Sequence, residues 1–433
     1  MTENTQAQAN KLDEYSRTSV PLSERKSLIS LIIVWVGYVF VVTSMQVGGL
    51  MGAGSDIPTF FKALAISAVI LTVIGSFIGI IAWKTGLTYG QICLHSFGKI
   101  GSQLVALMIV VTLIGWFSID AYLIGQYTNA MFSSVPLIPV VIISGILMTI
   151  TAIWGIKAMG YLAWVHVPLV FVFSLISIYL SIKGSGGWSG LMAIQPLEQL
   201  PFKQLVTLGV GSFICGAVAF TPDILRFART KSQAIVVMVI TMMLANPLML
   251  IFGAFGTIST GEKDIAFVLL AQGLLTAAFV VMLLNIVGTA IGCVYSGSLS
   301  LSITFTKTPR WVLVCGFGLI GTIGAVVGFY GYFGAFIDFL ASTIPALAGV
   351  FIADYYFSFK GHYPNLETYA LPLIRYGAFI AWFVGIAANY LIPWGFSSVN
   401  GVVAAFIARA ILAQLMKFEL KPEQPQITRS SAL

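Results

Sequence analysis

Apolar runs of about 20 residues recur along the whole chain, separated by short polar segments, in place of the alternating segments of about ten residues that mark a membrane barrel. The pattern predicts an all-α integral membrane protein with twelve transmembrane helices. The expected spans are roughly 27–53, 58–83, 101–132, 135–154, 160–182, 204–227, 232–258, 265–303, 311–328, 331–355, 371–391 and 396–416. Residues 1–26 and 417–433 read as polar tails on one side of the bilayer.

Two of these runs carry polar and small residues where a smooth helix would be apolar. The sixth holds Gly211-Ser212-Phe213-Ile214-Cys215-Gly216, followed by Thr221-Pro222, and the first holds Thr43-Ser44-Met45-Gln46-Val47-Gly48-Gly49. A broken helix inside a bilayer survives only where it is buried or lines a cavity, and in carriers such breaks mark the binding site. A plain kink or close helix packing is the competing explanation, since Gly and Pro are common in membrane helices.

Residues 27–182 and 204–355 then read as two halves of five spans, with Gly48 and Gly216 equivalent at an offset of 168. The same offset carries Trp116 onto Leu284, beside an interruption expected at Asn285–Gly292 in span 8. Five spans per half require the halves to be inverted in the membrane. Residues 371–416 add two further helices.

Charge fixes the expected topology. The chain is 58% hydrophobic and 9% charged, and all but Lys62, Lys183, Lys203 and Lys263 of its 22 Lys and Arg fall on the side of the N-terminus. The positive-inside rule therefore puts both termini in the cytoplasm of a multi-pass plasma (inner) membrane protein. The formal charge of +7 belongs to these loops, so no nucleic-acid partner is expected. Cys93, Cys215, Cys293 and Cys315 lack metal-ligand spacing, and His95, His166 and His362 are far apart. No enzyme, cofactor or metal cluster is expected, and His166 reads as a packing residue. Nothing in the pattern specifies an oligomeric state.

The candidates around the breaks are Ser44, Gln46, Trp116, Asp120, Ser212, Phe213, Cys215, Asn285, Thr289 and Asp338. A flat heterocycle needs aromatic faces and a few edge groups. Trp116 and Phe213 could supply the faces, and Gln46, Ser212 and Asn285 the edge. A carboxylate at membrane depth is a functional hypothesis by default, which singles out Asp120 and Asp338.

Several short segments carry a resemblance. They are Ser44-Met45 with Gly48-Gly49, Lys84-Thr85-Gly86-Leu87-Thr88 with Ser96-Phe97-Gly98, Gly115-Trp116-Phe117, and Gly211-Ser212-Phe213-Ile214 with Asp223 and Arg226-Phe227. Asn285-Ile286, Tyr295-Ser296, Ile344-Pro345 and Ile352-Ala353-Asp354-Tyr355 follow in order. With them the chain resembles nucleobase:cation symporter family 1, the purine/cytosine permease family, on its cytosine permease branch. The resemblance implies a leucine-transporter-type fold of ten spans in inverted repeats plus two, with helices 1 and 6 broken. It also implies a base held between Trp116 and Phe213, with Ser212, Cys215 and Asn285 at its edge.

The chain departs from that pattern at Leu113, where the branch has a glutamine, and at Gly288-Thr289, where it has paired threonines for sodium. The expected function is therefore cation-coupled import of a nucleobase or related small nitrogen heterocycle such as cytosine. The coupling ion is Na+, held near Ser44 and Thr289, or H+, carried by Asp120 and Asp338. A same-fold carrier for a cationic amine, an amino acid or a pyrimidine vitamin precursor is the alternative. A channel or membrane receptor on the same scaffold is a further one.

Overall fold

The computed structural model describes residue 15 and residues 18–153, 156–366 and 369–416. Most of the expected tail at 1–26 and all of that at 417–433 lie outside the described residues. The architecture is all-helical, and β-type pairing is confined, among the described residues, to one isolated bridge between Lys26 and Ala228.

The helices are α1 (Leu28–Val39), α2 (Val42–Ala53), α3 (Ile57–Thr85), α4 (Tyr89–Met131), α5 (Leu137–Ala152), α6 (Ile156–Gly184), α7 (Phe202–Gly211), α8 (Thr221–Leu225), α9 (Lys231–Ile240), α10 (Asn246–Thr260) and α11 (Ile265–Ala271). α12 (Leu275–Thr304), α13 (Arg310–Val326), α14 (Phe333–Ala353), α15 (Tyr376–Leu391) and α16 (Ser397–Leu415) follow, and a short unnumbered helix, Trp188–Ala193, lies between α6 and α7. Among the described residues, eight helical stretches are long and apolar enough to cross a bilayer, and α1 with α2 forms a further span bent by 55°. The shorter apolar helices α5, α13 and α15 stand where the fourth, ninth and eleventh spans are expected.

Local chemistry sets the ends. Asp56 caps α3 by accepting from the Thr59 amide at 2.7 Å, and Gly86 closes it at φ 70°. Thr88 and Gln91 form a reciprocal capping box at the start of α4. That helix is too long to be one span: its 43 residues would extend about 65 Å. Gly98, at φ 80°, divides it, and the carbonyls of Pro372 and Leu373 accept from the amides of Lys99 and Ile100. A Cβ at Gly98 would lie 2.5 Å from the Pro372 carbonyl oxygen, so only glycine fits.

The breaks differ from expectation in place and in kind. Span 1 bends at Phe40 and Val41, upstream of the Thr43–Gly49 segment, with Val41 fully extended at φ −125° and ψ 141°. Gly48 instead lies inside α2, where a Cβ would come within 2.1 Å of the Leu250 carbonyl oxygen on α10. Gly52 meets Ala254, and Gly253 meets the Met45 carbonyl, in the same seam. The small residues are there so that two backbones can touch, which is how membrane helices gain packing without a hydrophobic drive between them.

Span 6 is interrupted at Ser212-Phe213 and then widens into a π-helical turn, Gly216–Phe220, just before Pro222. The wider turn accommodates the proline ring and its missing N–H. A second π-helical turn, Thr241–Ala245, precedes Pro247 in the same way. The interruption expected at Asn285–Gly292 is absent, because α12 runs unbroken through it. Gly288 and Gly292 make room for the rings of His166 and Tyr38 instead.

The last two helices are joined to the rest by a buried ion pair, in which Arg409 of α16 donates to Asp354, just past α14, at 2.7 Å. Both side chains are fully buried.

Gly48→Val should lower the yield of folded protein and its thermal midpoint, since it drives a side chain into the α10 backbone, an overpacking cost of about 1–3 kcal/mol or more. Gly316→Val, at a glycine with open space around it, should leave both within error in the same detergent melt.

Candidate functional site

The two interrupted spans meet at a small cavity walled by Tyr38, Thr43, Trp116, Ser212, Phe213, Cys215, Phe220, Thr289 and Cys293. Its volume is about 30 Å³. That is room for a water or two, not for a heterocyclic ring. A larger cavity of about 390 Å³ opens between Lys84, His95, His362 and Asn365, but it lies at the end of the bundle, away from both breaks.

Five sequence-predicted residues come together here. Trp116 packs edge-on against Phe336 at 5.2 Å, and Phe213 tilts against Trp35 at 5.7 Å. Each ring is thus braced from behind while reaching the cavity wall. Ser212 donates to the Gly209 carbonyl at 2.7 Å and accepts from Asn246 at 3.2 Å. The Cys215 thiol lies 3.7 Å from the Thr112 hydroxyl, and Thr289 donates to the Asn285 carbonyl at 3.0 Å.

The other five stand elsewhere. Asn285 lies behind the bend of span 1, where its amide oxygen accepts from the Val42 amide at 3.1 Å and its amide nitrogen donates to the Phe40 carbonyl. His166 approaches the same nitrogen at 3.3 Å through Nδ1. Gln46 sits off the cavity wall and donates to Asp264 at 3.0 Å, while its oxygen accepts from the Ile265 amide at 2.9 Å. The Tyr330 hydroxyl donates to the same Asp264 oxygen at 2.7 Å. The other Asp264 oxygen caps α11. This cluster ties the loop helix α11 to α2 and to the segment before α14.

Asp120 is buried one turn beyond Trp116 on α4, and one carboxylate oxygen has no hydrogen-bond partner. Asp338 is half-buried near the start of α14, apart from the cavity. Ser44 is fully buried in α2 with an unpartnered hydroxyl, and its neighbour Thr43 takes the place on the wall.

Sequence reasoning read His166 as a packing residue and missed Tyr38, Phe220 and Cys293 on the wall, along with Asp264 and Tyr330. Asp264 carried a readable signal, an acidic residue directly before an apolar helical run. The others read as ordinary apolar-helix residues.

Residues 19–412 match the family described as permeases for cytosine/purines, uracil, thiamine and allantoin. The chain belongs to this permease family. It is 34% identical over 408 residues to cytosine permeases of Escherichia coli O157:H7 and of strain K12, covering 93% of this chain and 95% of each relative. Among solved structures it resembles Mhp1, a nucleobase-cation-symport-1 family transporter, in a closed conformation with bromovinylhydantoin bound. The TM-score is 0.81 at 20% identity, over 94% of this chain and 97% of that one. A Na+-coupled sialic acid symporter in an outward-open state is similar at a TM-score of 0.66 and 13% identity, over 91% of this chain and 90% of that one. These likenesses place the permease in the leucine-transporter type of fold expected from its sequence.

Removing the Asp264 carboxylate takes away the acceptor of the Tyr330 hydroxyl and the Ala266 amide and leaves the Gln46 amide nitrogen only Tyr330. Asp264→Ala should cost about 1.5–3 kcal/mol of stability and Tyr330→Phe about 1 kcal/mol, read as ordered shifts in thermal midpoint of the purified permease.

Proposed function

We propose that this permease is a cation-coupled symporter importing a nucleobase or related small nitrogen heterocycle, such as cytosine, by alternating access. The proposal includes twelve spans, five-helix halves of opposite orientation at 27–182 and 204–355, and both termini on the cytoplasmic side of the inner membrane. One observation carries it: Trp116, Phe213, Ser212 and Cys215 converge where two interrupted helices meet. Kinship with cytosine permeases supports the same reading.

Trp116 and Phe213 would hold the two faces of the ring, and Ser212 and Cys215 would meet its edge. A cavity of about 30 Å³ must widen to admit a base. The bend at Phe40-Val41 and the π-helical turn after Cys215 are where the wall can give without breaking a continuous helix. Gln46 and Asn285 would then act on the shape of the wall, through Asp264 and through the span 1 bend.

For coupling, the reading takes H+ on Asp120. An ionised carboxylate with an unpartnered oxygen at membrane depth is costly, and a proton or a cation removes the cost. Na+ near Ser44 and Thr289 is the competing site, and Asp338 is a second carboxylate available to a proton. The same orphaned oxygen favours one alternative cargo, a cationic pyrimidine-bearing vitamin or amine paired with Asp120.

Proteoliposomes decide between these. Radiolabelled cytosine uptake should saturate and show counterflow, and linear flux without exchange would sink the carrier reading. Trp116→Ala and Phe213→Ala should each raise the Michaelis constant by about tenfold or more, the scale of losing one base–aromatic stack. Asp120→Asn should flatten the pH dependence of uptake in sodium-free vesicles. Wild-type pH dependence in that variant would remove Asp120 as the coupling group.

A further inference from the structure

The bend of span 1 leaves a carbonyl at Phe40 and an amide at Val42 that no helix serves, and Asn285 of α12 satisfies both with one side chain. That double engagement fixes which way the amide points. The oxygen must face the Val42 N–H, so the nitrogen faces Phe40 and carries donor hydrogens only. His166 of α6 meets this nitrogen with Nδ1, and two donors cannot bond each other. Nδ1 is therefore the acceptor, which makes the ring neutral with its hydrogen on Nε2. α12 is shaped for the ring: a Cβ at Gly288 would lie 2.9 Å from Nε2.

We propose that His166 is a protonation-sensitive positioning residue. As a neutral acceptor it anchors the Asn285 amide that splints the two halves of span 1, and a proton on Nδ1 turns the contact into donor against donor and loosens the splint. The proposal rests on the carrier reading only for its purpose, since the splinted bend adjoins Val41 and Thr43 of the cavity wall. It places a second pH-responsive group in the protein, distinct from Asp120.

The surroundings leave the ring to respond alone. Among the helices packed on α6, α1 brings Tyr38, α12 brings Cys293 and Tyr295, and α10 and the short helix Trp188–Ala193 bring no titratable side chain. None of these is a carboxylate or an ammonium, so no fixed charge faces the His166 ring from them.

Hydrogen exchange on the whole purified protein tests this without any substrate. After correction for intrinsic rates, exchange of the Val42 amide should rise by roughly three- to tenfold between about pH 8 and about pH 4, the change expected for losing one buried hydrogen bond. His166→Gln, which keeps an acceptor that cannot be protonated, should hold the exchange at its high-pH level throughout. An equal rise in that variant, or no rise in the wild type, overturns the proposal. Nitrogen-15 spectra of the wild type should also find His166 with its hydrogen on Nε2 at neutral pH, and the opposite tautomer would overturn it even if the variant failed to fold. Failure to bind any heterocycle would defeat the functional reading and leave this one standing.

Discussion

Backbone groups inside a bilayer have no water to turn to, so a bend in a spanning helix lasts only as long as other parts of the protein bond what the bend exposes. At Phe40 and Val42 that service comes from one amide, Asn285. The rest of the centre follows from it. Because α1 and α2 are held at 55° and not merged into one rod, Thr43 and Val41 reach the same cavity as Phe213 and Trp116. The unbroken α12 is the rigid post on which the amide stands. Its Gly288 lets the His166 ring come close enough to meet that amide.

The spans were legible because their signal is local: about 20 apolar residues in a row mean a crossing wherever they occur. Trp116, Phe213, Ser212 and Cys215 were legible by their nearness to small, polar interruptions, and the family resemblance pointed to the same positions. The exact bend was not. Glycine permits a turn and permits close approach, and sequence does not separate the two uses. Gly48 belongs to the second, and its place under Leu250 is visible only once α10 is folded against α2.

Asn285, expected at a substrate edge, bonds the span 1 backbone in this structure. Its amide chemistry suited a substrate edge, and the same chemistry suits an exposed peptide link, so the choice between them depends on which backbone lies opposite. Gln46 tells the same story at the other end of α2, where its two functional atoms are taken by Asp264 and the Ile265 amide. In both cases a polar residue in an apolar helix serves the geometry of the wall from behind.

The buried pair of Asp354 and Arg409 bears on how the chain is made. Synthesis runs from the N-terminus, so Asp354 is made before its partner Arg409, which lies 55 residues further along the chain. Until the final helix arrives, that carboxylate lacks the guanidinium it pairs with, and an unpaired buried charge is severely destabilising. The pairing of α14 with α16 can therefore close only when the chain is nearly finished.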